Sequence, residues 1–263
     1  MKYEHFTLEE IEYLLIVNKC EYLYGFKDSF IKYDKSIVKN IFDKIADGLE
    51  EHNLISRSFK GDITYDDDLK EAIDTIINVE TYYDVTIIDL NKVSKKYRIY
   101  ELSKKYVVIE VLANDKGILD FNDLTMHLYD YNDFKKAILK LIDKNFKFSE
   151  NNKNESEINI DAELYKKITK MSEEEFLSKV SGTNDEERII FEDLYTVVNR
   201  NDKVISVAIT HMKKRTSKVY MYINGAKKVF KLMFKINGEK HKWTAKELYK
   251  EMIDDEVEKV IGK

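Results

Sequence analysis

Residues 97–112 read YRIYELSKKYVVIEVL, and this stretch sets the fold class. Tyr97 to Leu102 and Tyr106 to Leu112 are runs rich in aromatic and β-branched residues, separated by the short polar turn Ser103 to Lys105. That is the pattern of two strands joined as a hairpin. Upstream, Val85, Ile87 and Asp89 alternate with Thr86, Ile88 and Leu90, which predicts a third strand. Helical periodicity flanks the strands. Asp66, Asp67 and Asp68 open a helix with the stripe Leu69, Ala72, Ile73, Ile76 and Ile77. Three carboxylates there cap the first turn and complement the macrodipole. Downstream, Asn114 to Gly117 is a turn signal, Phe121 is predicted to open a helix through Leu124, Leu128 and Tyr131, and Phe134 to Phe148 continues helical.

The same order recurs. An offset of 122 residues carries Val85 onto Val207, Ile87 onto Ile209, Tyr100 onto Tyr222, Val107 onto Val229, Leu112 onto Phe234 and Phe121 onto Trp243. In the preceding helix it carries Leu69 onto Phe191 and Ile76 onto Val198. Strands are expected at Val204 to Thr210, Lys218 to Ile223 and Val229 to Ile236, with Asn224-Gly225 and Asn237-Gly238 as turn dipeptides. Trp243, Thr244, Glu247 and Leu248 have the spacing of a stapled capping box opening the closing helix. The reading is a duplicated βββα module. A lone three-stranded meander exposes edges and one apolar face. Two copies are therefore expected to form an α+β fold: a central antiparallel sheet with pseudo-two-fold symmetry, flanked by helical bundles.

Two further capping boxes, Thr7 to Glu10 and Ser172 to Glu175, mark helix starts, the first with Phe6 and Ile11 as its staple. A helix is expected from about Ser36 to Asn53, and a turn or hairpin at Ser56 to Thr64 around Gly61. Residues 149–157, SENNKNESE, are polar and aperiodic. The organisation read from this is an N-terminal half at 1–148, a linker at 149–160 and a C-terminal half at 161–263 resembling 66–135, together one continuous domain.

Composition narrows the function. Apolar residues at 43% and charged residues at 35% describe a globular chain. A net charge of −5 argues against a nucleic-acid partner, which needs clustered positive charge. Cys20 is the only cysteine, so no internal disulfide forms. Met1 to Cys20 lacks the basic start and apolar core of a signal peptide, and no run approaches ~20 apolar residues. A cytoplasmic protein without membrane insertion is expected. His5, His52, His127, His211 and His241 never fall at i, i+4, so no metal site is expected. No Gly-rich phosphate loop and no G-x-S-x-G elbow occurs. The expectation is a binding protein with no catalytic residues and no cofactor.

The most specific charged feature is the cluster His211, Lys213, Lys214, Arg215 and Lys218, at an expected strand–strand loop. Its counterpart in the first half is Lys92, Lys95, Lys96 and Arg98. Such a loop is a solvated tip or a surface that steers an acidic partner.

The order of elements resembles the EspG and EsaE-like secretion chaperones of type VII (ESX) export systems. The carriers are FTLEEIEYLL at Phe6 to Leu15, DGLEEHNLI at Asp47 to Ile55, DDDLKEAI at Asp66 to Ile73, the strand triplets, and NGEKHKWTAKEL at Asn237 to Leu248. The resemblance implies a passive chaperone, monomer or homodimer, that holds a helical secreted protein soluble for export. It also implies partner contacts on the sheet and a strand–strand loop. The matching positions are Lys92, Lys95, Lys96, Tyr97, Tyr100, Lys213, Lys214, Arg215, Val219 and Met221. An immunity-type protein that inhibits a toxin domain is the alternative.

Overall fold

The computed structural model describes residues 2–89, 92–113, 118–148, 157–180, 184–200, 203–225, 228–237 and 240–261. Clustering of contacts gives two compact units. The first comprises Met1–Asp84, Lys95–Tyr131 and His211–Arg215, the second Val85–Ser94, Asn132–Thr210 and Thr216–Lys263. The division is therefore not a single cut in the chain. The fold is α+β, with antiparallel pairing throughout the registers described.

The N-terminal segment runs β1 (Lys2–Phe6), α1 (Leu8–Val17), α2 (Lys35–Glu51), the hairpin β2 (Ile55–Arg57) and β3 (Ile63–Tyr65), and α3 (Asp67–Ile77). The helix starts follow the caps. Thr7 Oγ1 accepts from the Glu10 amide at 3.1 Å, and Glu10 Oε2 accepts from the Thr7 amide at 2.7 Å. Asp66 Oδ1 accepts from the Asp68 and Leu69 amides. The β2–β3 hairpin stands where the Gly61 turn placed it, and Gly61 holds φ of 85°. β1 went unread: five residues beginning Lys-Tyr-Glu-His carry too little alternation, and pairing with a neighbour makes them a strand.

Next come β4 (Thr81–Asp89), β5 (Lys92–Leu102), β6 (Lys105–Ala113), β7 (Leu119–Asp130) and α4 (Tyr131–Asn145). In the first unit β1, β7, β6 and β5 are neighbours in that order. The register aligns Tyr100 with Val107 and Leu128, Arg98 with Ile109 and Met126, and Lys96 with Val111 and Leu124. Val107, Ile109, Val111, Leu124, Met126 and Leu128 thus share one face and join Leu14, Leu15, Leu69 and Ile73 in one apolar core. Each such side chain contributes about 1.5–3 kcal/mol when fully buried.

The second unit's remaining elements are β8 (Glu157–Asp161), α5 (Ala162–Lys167), α6 (Glu173–Lys179), α7 (Asp185–Asn199), β9 (Lys203–His211), β10 (Thr216–Asn224), β11 (Val229–Asn237), β12 (Lys240–Leu248) and α8 (Ile253–Ile261). β10, β11, β12 and β8 are neighbours in that order. Ile158, Ile160, Phe176, Ile190, Leu194, Phe230, Leu232 and Ala245 form its core. The capping box at Ser172 and Glu175 is present.

Three expectations are corrected. Phe121 opens no helix, because Leu119–Asp130 is β7. Leu124 and Leu128 fit a helical stripe, but with Met126 they also fit period two, and the ladder offered by β6 selects the strand. Likewise Trp243, Thr244, Glu247 and Leu248 lie in β12, held between β11 and β8, and the closing helix starts at Ile253. A further strand thus precedes each helix, β7 before α4 and β12 before α8. Of the stretch 149–160 read as linker, residues 157–160 lie in strand β8 (Glu157–Asp161), with Ile158 and Ile160 buried and Glu157, Asn159 and Asp161 exposed. The rest of that stretch, 149–156, lies outside the described residues, as does the Asn114 to Gly117 turn.

Candidate docking surface

The β5–β6 pairing sorts the first basic cluster onto two faces. Lys95 and Tyr97 lie on the face opposite the core, where Tyr97 pairs with Glu110. Lys95 Nζ donates to Glu110 Oε1 at 2.6 Å, and the Tyr97 hydroxyl donates to the same oxygen at 3.3 Å. Burial, and then the Glu110 carboxylate, push the Tyr97 phenol well up. Both side chains are half-buried and committed to one acid. The β7 residue beside Glu110 is Thr125, whose buried hydroxyl has no hydrogen-bond partner among the described residues. Lys92 is the first residue of β5.

Lys96 and Tyr100 sit on the core face. Burial, and then the Arg98 guanidinium, hold the Lys96 ammonium below its ordinary value. Arg98 is buried, ion-paired to Asp84, and donates through Nε to the Gly25 carbonyl at 3.2 Å. Tyr100 is fully buried and donates to the Tyr24 carbonyl at 2.6 Å. Tyr100, one of the expected contact positions, is thus an interior residue that pins the loop after α1. Its face of the sheet is the one whose residues share a core with α1 and α3.

The second cluster is arranged differently. His211–Arg215 belong to the first unit, and Met212 packs against that unit's core. The Met212 amide donates to the Glu80 carbonyl at 2.9 Å, Lys213 is ion-paired to the Glu80 carboxylate, and Thr81 Oγ1 lies 3.3 Å from His211 Nδ1. The Lys213 hydrogen bond holds Glu80 below the ordinary carboxylate range. Lys214, Arg215, Thr216, Ser217 and Lys218 are all exposed. Val219 and Met221 are half-buried, and Met221 packs against the second unit's core.

Sequence reading missed the carboxylates that answer these cations, Glu110 and Glu80, because one meets Lys95 through the β5–β6 ladder and the other meets Lys213 from 133 residues away. It also missed a polar cluster in the second unit. Lys231 is ion-paired to the buried Glu256, whose carboxylate also accepts from the Tyr222 hydroxyl at 3.3 Å, and Lys231 Nζ lies 4.5 Å from the Tyr220 ring centroid. Beside it is an open depression of about 360 Å³ lined by Lys246, Leu248, Tyr249, Met252, Asp255 and Lys259. Among the described residues no group of three or more His, Cys, Asp or Glu is placed to hold a metal ion, and no helix is long and apolar enough to cross a membrane. What the surface offers is paired charge, half-buried aromatics and a basic tip.

The fold is similar to that of a solved type VII secretion chaperone. It matches the Mycobacterium tuberculosis type VII secretion system chaperone EspG5, solved in complex with the PE25–PPE41 dimer, with a TM-score of 0.56 over 98% of this chain and 95% of that chain. Sequence identity over the match is 8%. The likeness is therefore one of fold. No family model and no curated protein matches the sequence.

Proposed function

We propose that this chain is a cytoplasmic, non-catalytic chaperone or adaptor of a type VII export system. It binds a helical, export-bound protein and keeps it soluble until transfer. The observation that supports the reading is the fold-level match to EspG5 along nearly the whole of both chains. That chaperone was solved with the PE25–PPE41 dimer bound, so a protein ligand is the corresponding expectation here. The mechanism is coverage: an exported segment showing an apolar tip aggregates unless another surface hides it.

We further read the chain as a tandem duplication with pseudo-two-fold symmetry. β4 and β9 each span nine residues and stand 122 apart, and α4 and α8 begin at Tyr131 and Ile253 with the same spacing. The proposed contact residues are the exposed tip Lys213, Lys214 and Arg215 with the half-buried Lys95, Lys96, Tyr97, Val219 and Met221, and Lys92 by its place in β5.

The test is purification of the tagged chain from its own host, with mass spectrometry of stoichiometric companions. A helical secreted protein that precipitates when made alone and stays soluble with this chain supports the reading. A catalytic toxin domain whose activity the chain abolishes, or no stoichiometric companion, sinks it.

A further inference from the structure

We propose that the turn between β9 and β10 is a preorganised cationic patch that takes an acidic segment of a protein partner, a helix end or loop carrying two or three Asp or Glu residues. The identity of that partner rests on the export reading; the charge preference of the patch does not.

The two basic clusters look equivalent in sequence, but their surroundings differ. Lys95 is neutralised by Glu110, and Arg98 by Asp84. Elsewhere Lys135, Lys203, Lys228, Lys231 and Lys250 each face a carboxylate. Lys214, Arg215 and Lys218 are exposed and form no ion pair among the described residues. Three such cations lie within five residues of sequence, on a chain whose net charge is −5.

The patch is also held in shape. Met212 is anchored in the first unit's core, its amide is bonded to the Glu80 carbonyl, and Lys213 is tied to the Glu80 carboxylate. Arg215 donates its amide to the Met212 carbonyl at 3.4 Å and holds φ of 52°, a left-handed conformation that glycine or asparagine adopts at less steric cost. Ordering the cations beforehand reduces the entropy lost on binding.

Charge and composition select the partner. Residues 213–218, KKRTSK, carry no aromatic side chain on which bases would stack. The net charge of −5 disfavours a long polyanion and leaves a short acidic segment as the better match to the patch.

The experiment uses the full chain and the companion recovered from its host. Affinity is measured by calorimetry at about 50 and 300 mM NaCl for the wild type, the patch variant K214E/R215E/K218E, and a control with the same charge change at exposed lysines elsewhere, K39E/K60E/K179E. The patch variant is expected to bind about tenfold or more weakly at low salt, with the gap closing at high salt, while the control stays within about twofold. An unchanged patch variant, or equal loss in both variants, overturns the proposal. If no helical companion is recovered, the export reading fails by itself. The patch is then tested on a synthetic helical peptide with an acidic polar face, its Glu→Gln counterpart, and a single-stranded oligonucleotide. Preference for the acidic peptide that the patch variant loses supports the proposal, and equal binding of the Gln peptide or tighter binding of the oligonucleotide overturns it.

Discussion

The hydroxyl of Tyr100 donates a 2.6 Å hydrogen bond to the carbonyl of Tyr24, 76 residues earlier in the chain. Beside it lies a second buried tyrosine, Tyr82, with ring centroids 5.5 Å apart, whose hydroxyl has no partner among the described residues. The two phenols therefore give opposite responses to loss of the oxygen. Tyr100→Phe leaves the Tyr24 carbonyl unpaired in the interior and is expected to cost about 1–3 kcal/mol. Tyr82→Phe removes an unsatisfied group and is expected to be neutral or stabilising. Urea unfolding midpoints of the two variants decide the matter, and equal losses would contradict the geometry.

Gly25 holds φ of 89°, and a Cβ there would stand 1.9 Å from the Tyr82 hydroxyl oxygen. Gly25→Ala combines backbone strain with a clash against a core ring. It is expected to destabilise by about 2 kcal/mol or more. Gly48, in the last turn of α2, has open space where its Cβ would sit. Gly48→Ala is expected to stabilise by about 0.5–1 kcal/mol through helix propensity. Thermal midpoints that move in opposite directions for the two variants are the check.

In the second unit the side chains of Lys231 and Glu256 are mostly buried, and their ion pair ties α8 to β11. Glu256→Gln strips the partner from a lysine that cannot reach bulk water freely. The expected cost is about 3 kcal/mol. Amide hydrogen exchange in Ile253–Ile261 should accelerate, while the α1 amides keep their protection. Unchanged exchange in α8 would remove this pair from the helix's attachment.

Glu12 is buried, and its carboxylate accepts from the Ser29 amide at 2.9 Å and from the Ser29 hydroxyl. Burial is the largest influence and raises its pKa above 4.5 despite these bonds. A carboxyl raised in the folded state binds its proton more tightly there than in the unfolded chain. It therefore loses stability as pH rises from about 4.5 through the raised folded value, the reverse of a salt-bridged acid. Glu12→Gln removes this slope. The wild type is expected to lose stability relative to the variant across that window, then run parallel to it above. Melting temperatures of both proteins from pH 4.5 to 8 test the sign.

How far the sequence could be read depended on the reach of each contact. The caps at Thr7, Asp66 and Ser172 and the Gly61 hairpin needed only residues a few positions away, and they stand as expected. The β7 and β12 stretches were misread because Leu124 with Leu128, and Thr244 with Glu247, satisfy a helical spacing as well as a strand. Only a neighbouring ladder separates the two, since a strand's hydrogen bonds lie entirely outside it.

The sequence by itself determined an α+β chain with antiparallel strands, its helix starts, and the absence of metal, disulfide and nucleotide motifs, all matters of residue type and short-range periodicity. Tertiary structure alone decided that Tyr100 is interior, that Lys95 and Lys213 are neutralised by Glu110 and Glu80, and that Lys214, Arg215 and Lys218 are left facing water. Whether a charge is free or paired depends on which segment lies within a few ångströms, and strand register sets that distance while composition does not.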